Sequence, residues 1–318
     1  MKSIVIIIPY FGNFPNYFQL FLNSCKFNET IDWVIITDND SKYDYPPNVR
    51  KVKASFVEIQ KRVWGKFDFD VVIDSVHKLC EYKPAYAYLF PELVEGYDYW
   101  GYGDMDLIYG NLRHFLTEEV LSYEKIFTLG HLTLIENKEM FNQMFLREID
   151  GVEFYRKAFS SSINFNFDEN FKNKPNINTI FKANNCRVWE KNYVADIYTK
   201  SSDFLLDIGD GAKEDRKAAV FVWNKGNLYR YHDNRNGKIE CQEFMYIHLQ
   251  KRKMINKIKQ DCDLYKIIPN SFEGLEVDFN DIEKNFSKIK RKNANLQYFR
   301  MRFKNLKTKI KNINSKNV

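Results

Sequence analysis

Two carboxylates one residue apart, Asp104 and Asp106, stand in the stretch Trp100-Gly-Tyr-Gly-Asp-Met-Asp-Leu-Ile-Tyr-Gly-Asn-Leu112. The aromatic residues before them read as a short strand, and the two glycines around Tyr102 as its exit. The pair is therefore expected just past the carboxyl end of a strand. Strand residues two apart project to the same face, and ligands of open α/β sheets bind outside the carboxyl ends of the strands. A hard divalent cation, Mn²⁺ or Mg²⁺, held by one or two carboxylates with substrate phosphates completing its shell is chemistry such a pair can do. Aspartates also suit turn backbone for its own sake, so the pair gains meaning only from its surroundings.

The elements before the pair have the order needed to position it. Ser3 to Ile8, five of its six residues a continuous aliphatic run, reads as a central parallel strand buried on both faces. Pro15 to Phe27 carries Tyr17, Phe18, Phe21, Leu22 and Cys25 at helical spacing, and Trp33 to Thr37 is a second short strand, completing a βαβ unit. A polar loop opens at Asp38. Val52 to Ala54 reads as a third strand and Val57 to Trp64 as a helix ending at Gly65 in a left-handed cap. A further helix is expected to start at Pro84 and end at Gly96.

Beyond the pair, Lys125 to Ile135 reads as one strand and Lys138 to Leu146 as a helix. A second acidic cluster, Asp168-Glu169, ends the run Asn-Phe-Asn-Phe-Asp-Glu. Ile177 to Ala183 reads as helical and Arg187 to Trp189 as extended. Ala219 to Trp223 and Leu228 to Tyr231, joined by Asn-Lys-Gly-Asn, form the clearest hairpin. Phe244 to Leu249 is a late strand bearing His248 and followed by Gln250-Lys-Arg-Lys.

Composition narrows the class. With 44% hydrophobic and 16% aromatic residues in 318, the chain can bury a large core and is not a disordered protein. No apolar run reaches the length of a bilayer span, and the opening aliphatic run, ended by Pro9, reads as a strand rather than a leader. The five cysteines are odd in number and lack metal-ligand spacing, as expected in a reducing, cytoplasmic compartment. His77, His114, His131 and His232 share no metal spacing. No Gly-rich phosphate loop and no Ser-His-Asp elbow is present.

Charge is unevenly placed. Residues 284 to 318 hold twelve Lys or Arg and no acid, so removing them from the net +6 leaves residues 1 to 283 at −6. Phe286, Ile289, Asn293, Leu296, Phe299, Phe303, Leu306, Ile310 and Ile313 recur at steps of three and four, an amphipathic helix with a basic opposite face. Three uses compete for it: packing on the body, lying on an anionic membrane surface from the cytoplasmic side, or, least expected, holding nucleic acid.

Trp100 to Leu112 resembles the strand and Asp-x-Asp signature of glycosyltransferases with the GT-A fold. It is similar to bacterial polysaccharide and lipopolysaccharide glycosyltransferase-like proteins, and more loosely to glycosyltransferase family 8, where the acidic motif leads into apolar residues and Gly-Asp/Asn-Leu. Leu79-Cys-Glu-Tyr-Lys-Pro-Ala-Tyr86 stands where those proteins carry the helix before the motif. The resemblance implies an α/β fold with a GT-A-like mixed, mostly parallel sheet flanked by helices over residues 1 to 255. A connecting segment at 256 to 283 and the basic amphipathic helix at 284 to 318 follow. It implies a nucleoside-diphosphate sugar donor, UDP favoured, and a glycan or lipid-linked acceptor. By position, Tyr10 would meet the base, Asp38 read base or ribose, Asp104 touch metal and ribose, Asp106 hold the metal, His248 be its third ligand, and Lys251 neutralise the diphosphate. The family 8 His-x-x-Gly-x-x-Lys-Pro-Trp ending is absent, with His-Leu-Gln-Lys-Arg-Lys in its place.

In such a transfer negative charge grows on the departing diphosphate, and a divalent cation with Lys83 or Lys251 would stabilise it. The acceptor hydroxyl must also lose a proton, and Asp168 or Glu169 is placed to take it, although an Asp-Glu pair also serves as a helix start or solvated turn. His248, among Phe244, Tyr246 and Leu249, is a ligand or a core histidine. Two other classes compete: a nucleotidyltransferase on a similar core, which would need a Gly-rich basic loop where Pro9-Tyr-Phe-Gly-Asn13 stands, and a non-catalytic membrane-associated scaffold using the tail.

Overall fold

The computed structural model describes residues 1–314 except 172–173, 209–211, 215–217, 235 and 260, with side chains described through residue 310. Lys316 and the side chains of Lys311 and Ile313, part of the expected tail pattern, lie outside the described residues. The chain forms two compact units. The first comprises Met1–Phe14, Asn28–Met105 and Arg113–Asn192, the second Pro15–Phe27, Asp106–Leu112 and Tyr193–Val318.

The first unit is built on a seven-stranded sheet. β1 (Ile4–Pro9), β2 (Ile31–Thr37), β3 (Val49–Lys53) and β4 (Tyr99–Gly103) run parallel in the order β3-β2-β1-β4. β4 pairs antiparallel with Leu132–Glu136, which pairs antiparallel with Lys125–Leu129, and Val188–Trp189 closes the other edge in parallel. This is a mixed, mostly parallel sheet. The helices Phe56–Trp64, Phe154–Phe159 and Ile177–Ala183 bury Ile59, Val63, Phe159, Ile180 and Phe181 in one core with Val5, Ile7, Trp100 and Tyr102. β1 is buried on both faces because every residue from Ile4 to Ile8 is aliphatic and β-branched. Gly101 must be a glycine, since a Cβ there would lie 2.3 Å from the Thr133 carbonyl oxygen on the neighbouring strand. From β1 the order runs outward through β2 and β3, and β4 then adds on the opposite side. The order therefore reverses between β1 and β4, where open α/β sheets form their binding crevice.

Several local expectations change. Ser55 and Glu58 make a full capping box at the start of the Phe56–Trp64 helix, but Gly65 ends it at φ −75, so no left-handed cap forms there. Gly96 does take a left-handed φ of 82. The helix expected from Pro84 is broken into single turns, Leu79–Tyr82, Tyr86–Leu89 and Pro91–Val94, with Lys83–Ala85 as a 3₁₀ turn. Two prolines that cannot donate to the preceding turn account for the breaks. Lys125 to Ile135 folds into two antiparallel strands around Gly130-His131 instead of one.

The second unit holds a six-stranded sheet in the order Ile239–Phe244, Asn227–Asp233, Ala219–Asn224, Leu264–Ile268, Ser271–Glu273, Ile255–Asn256. Two of these strands lie inside the expected connecting segment 256 to 283. The hairpin forms as expected, with Lys225 at φ 44 and Gly226 at φ 85 giving the two left-handed residues of a type I′ turn. A separate three-stranded ribbon sets Tyr246–His248 between Leu107–Tyr109, antiparallel, and Val194–Asp196, parallel. The expected strand Phe244 to Leu249 is thus divided at Met245 between two sheets. The tail run divides as well. Phe286 and Ile289 are buried with Val220 and Val222, whereas Leu296–Asn314 is a helix with an exposed apolar side. Among the described residues no helix is long and apolar enough to cross a membrane.

Candidate functional site

In the first unit three strand ends converge on the switch point. After β1, the Tyr10 N–H donates to the Ile36 carbonyl of β2 at 2.8 Å, and its ring packs on Phe14 with centroids 5.6 Å apart. After β2, Asp38 accepts from the Gly12 N–H at 2.9 Å, and Asn39 donates to the Gly12 carbonyl at 2.8 Å. Asp38 thus shapes the loop that follows β1. Gly12 at φ 93 makes that turn possible. After β4, the Asp104 N–H donates to the His131 carbonyl at 3.1 Å.

Asp104 is held by a buried lysine. The Lys83 Nζ donates to Asp104 Oδ1 at 2.7 Å and to the Gly130 carbonyl at 2.9 Å, and lies 3.5 Å from Asp168 Oδ2. Burial works against the ammonium, yet Asp104 and Asp168 hold it charged, with its pKa well above the usual lysine value. Burial pushes the Asp168 carboxyl up to about 7, reinforced by Glu169, Asp104 and Glu81 and opposed by Lys83. The segment carrying Asp168 is pinned from several sides. Tyr102 donates to the Asp168 carbonyl at 3.0 Å, and Asn170 N–H to the Thr128 carbonyl at 3.1 Å. Glu169 accepts the Gly130 N–H at 3.2 Å. Of the acidic pair, then, Asp168 joins Lys83 and Asp104, while Glu169 secures the Gly130 turn. A Cβ on Gly130 would sit 2.4 Å from Asp168 Oδ2, so a side chain there would displace the Asp168 carboxylate.

Sequence reading missed Glu81. Its two carboxylate oxygens accept the backbone N–H groups of Phe165, Asn166 and Phe167 at 2.6, 3.0 and 3.0 Å, which fixes the approach to Asp168. Asn166 is left-handed at φ 63, and an asparagine there was a readable signal.

A carboxyl whose folded pKa lies above its unfolded value adds stability fully present below about pH 4 and lost as pH rises towards 7. Asp168→Asn is therefore expected to raise the Tm at pH 8 and leave it nearly unchanged at pH 4, as pH-dependent melting will read.

In the second unit Asp106 opens the segment leading into Leu107–Tyr109. Its carbonyl accepts the Leu249 N–H at 2.9 Å, and its Oδ2 accepts the Lys251 N–H at 2.5 Å. Its Oδ1 lies 3.3 Å from His248 Nε2. The other ring nitrogen, Nδ1, lies 2.9 Å from Asp196 Oδ1, which also accepts from Gln250 Nε2 at 2.7 Å. This geometry is built by pairing: His248 stands opposite Asp196 on one neighbouring strand and opposite Leu107 on the other. Burial would raise the Asp106 pKa, but the His248 charge and the hydrogen bonds from His248 and the Lys251 N–H hold it far below the usual carboxylate range. Burial would lower His248, but Asp106 and Asp196 prevail and push it up to about 10.

Lys251 thus meets Asp106 through its backbone, and its side chain is exposed. Gln250 and Lys251 sit at φ 53 and 56, two consecutive left-handed residues of a kind that L side chains rarely adopt. That strain turns the Lys251 N–H onto Asp106. Asp196 was also missed in the sequence, because the three-residue strand Val194–Asp196 is too short to show periodicity.

The donor chemistry fits a divalent cation. Asp106 offers a buried carboxylate and His248 a buried imidazole, with a carboxylate on its far nitrogen that would fix the tautomer and leave Nε2 for a metal. Asp196→Ala is expected to weaken Mn²⁺ affinity about 10- to 100-fold, as titration calorimetry on the chelator-treated protein will measure.

A family model described as "Family of unknown function (DUF6625)" matches residues 6–276. No curated protein matches the chain. Among solved structures, one of the galactosyltransferase LgtC in complex with donor and acceptor sugar analogues aligns over 61% of this chain and 75% of that one, at 12% identity and a TM-score of 0.33. An active-site mutant of LgtC aligns over 61% and 74%, at 10% identity and a TM-score of 0.32. Likeness at that level carries no weight on the reaction.

Proposed function

The chain belongs to this family of unknown function, and we propose that it is a metal-dependent glycosyltransferase, moving a sugar from a nucleoside-diphosphate donor, UDP-linked in the favoured case, to a glycan or lipid-linked acceptor of cell-surface polysaccharide. The observation that carries the reading is that each carboxylate of the Asp-x-Asp stretch has its own buried partner, Lys83 on Asp104 and His248 on Asp106. Buried polar groups of this density are the mark of a site, not of a solvated turn.

Asp106 and His248 would hold the cation, and Asp104 is the other carboxylate of the motif. When bound, the cation contributes positive charge where the departing diphosphate becomes negative. Lys83 keeps Asp104 in one rotamer and supplies a fixed positive charge beside it. Tyr10 and Asp38, at the ends of β1 and β2, receive the base and ribose, with Asp38 doing so through the loop it organises. Asp168 takes the acceptor proton: a carboxyl at about 7 is half in its basic form at neutral pH, where a general base works best.

The test is a panel of UDP-, GDP- and CMP-sugars with Mn²⁺, following donor hydrolysis and transfer. Turnover with one base class supports the reading. Neither turnover nor nucleotide binding across the panel would sink it.

A further inference from the structure

The apolar run at the carboxyl end does not behave as one face. Phe286 and Ile289 are 5% and 2% exposed, packed with Ile282 against the sheet of the second unit. From Leu296 the pattern continues but turns outward. Leu296, Phe299, Phe303, Leu306 and Ile310 are between 49% and 66% exposed. Those five, at steps of three and four, fall on one stripe of the Leu296–Asn314 helix, spanning about 21 Å at 1.5 Å per residue. The opposite side faces the unit: Gln297, Met301 and Asn305 are partly covered, the Asn305 amide donates to the Lys200 carbonyl, and Arg252 donates to the Met301 sulfur at 3.9 Å. The helix is therefore moored by its polar side, and its apolar side is the one turned to solvent.

Charge identifies the occupant. At roughly 100° per residue, Arg300, Lys304 and Lys307 line one flank of the stripe and Arg302 and Lys309 the other, all exposed. Residues 284 to 318 contain no acid. A second copy laid on the stripe would bring these basic flanks against one another with nothing to neutralise them. A nucleic acid would engage the cations and leave the largely aliphatic stripe in water. An apolar stripe between two cationic flanks matches a bilayer surface, with the stripe in the acyl boundary and the flanks among headgroup phosphates.

We propose that the Leu296–Asn314 helix docks flat on an anionic lipid bilayer through Leu296, Phe299, Phe303, Leu306 and Ile310, with Arg300, Arg302, Lys304, Lys307 and Lys309 on the headgroups. The docking is independent of the sugar chemistry and does not require it.

Flotation of the full chain with vesicles of phosphatidylcholine alone, or mixed with phosphatidylglycerol, tests this. Two triple variants accompany it: Phe299→Ser, Phe303→Ser and Leu306→Ser, and Arg300→Glu, Lys304→Glu and Lys307→Glu. All six positions are exposed, so both variants should melt as the parent does. The parent is expected to bind mixed vesicles at least about tenfold more tightly than neutral ones, and each variant to lose roughly a hundredfold on mixed vesicles. Undiminished binding by either variant overturns the proposal. So does equal binding to both lipid mixtures, tighter binding to RNA at equal phosphate, or a stripe-dependent dimer by sedimentation velocity.

Discussion

Asp106→Asn is expected to lower donor turnover roughly 10²- to 10³-fold, the range seen when a preorganised electrostatic group is removed from a water-excluded site. The side chain keeps its size, so the loss reads charge. On the proposed function it would take a carboxylate ligand from the cation, and it removes one of the two carboxylates that hold His248 at about 10. The stability of the metal-free protein should move with it, and the sign is fixed by both groups. Asp106, with its folded pKa depressed, contributes stability above about pH 4 that is lost as pH falls through the folded value. His248, raised to about 10, contributes stability that is complete below about 6.5 and lost as pH rises through 10. Melting of Asp106→Asn and parent should therefore differ most between about pH 5 and 9 and converge outside that window.

Lys83→Met is expected to act on the first unit, and chiefly on stability. The lysine is the shared cation of Asp104 and Asp168, with its side chain 6% exposed. Removing one partner of a buried pair costs about 3–5 kcal/mol, because the remaining charge stays uncompensated. The lower end applies here, since Asp104, with a 34% exposed side chain, can recover water. About 3 kcal/mol lowers the Tm of a unit of this size by roughly 6–12 °C. With the lysine gone, only protonation relieves Asp168, so the deficit should shrink at pH 5 relative to pH 8. Adding Asp168→Asn should raise the Tm at pH 8 by more in Lys83→Met than in the parent, a coupling that a double-mutant cycle on thermal melts will read. An equal effect of Asp168→Asn in both backgrounds would mean that the two side chains do not share the ion pair.

The legible parts of the chain were those where local pattern and tertiary role agree. β1 was readable because burial on both faces forces an unbroken aliphatic run, and the hairpin because Asn-Lys-Gly-Asn suits a type I′ turn. Asp104 and Asp106 were visible from their spacing at a strand end. Partnership was not. That Lys83 would turn inward onto Asp104 depends on Pro84 and Pro91 breaking a helix into single turns, and no periodicity announces that. Asp196 became visible only once the parallel pairing of Val194–Asp196 with Tyr246–His248 set it beside His248. Lys251 was read for its side-chain charge, and nothing in the pattern announced that its backbone N–H would bond Asp106 through a conformation that glycine usually supplies. The tail was read as one amphipathic helix because spacing alone cannot show that its first apolar residues are spent on the core and the later ones are not.

The most direct test of the sugar-transfer account is a thermal shift of the chelator-treated protein against UDP, GDP and CMP, each with and without Mn²⁺, for the parent and Asp106→Asn. A ligand that binds only the folded state stabilises it by about 2.7 kcal/mol at a hundred times its Kd. The expected result is a shift by a nucleoside diphosphate that requires Mn²⁺ in the parent and is absent from Asp106→Asn. A shift of equal size without Mn²⁺ or in Asp106→Asn, or none with any nucleotide, would contradict it.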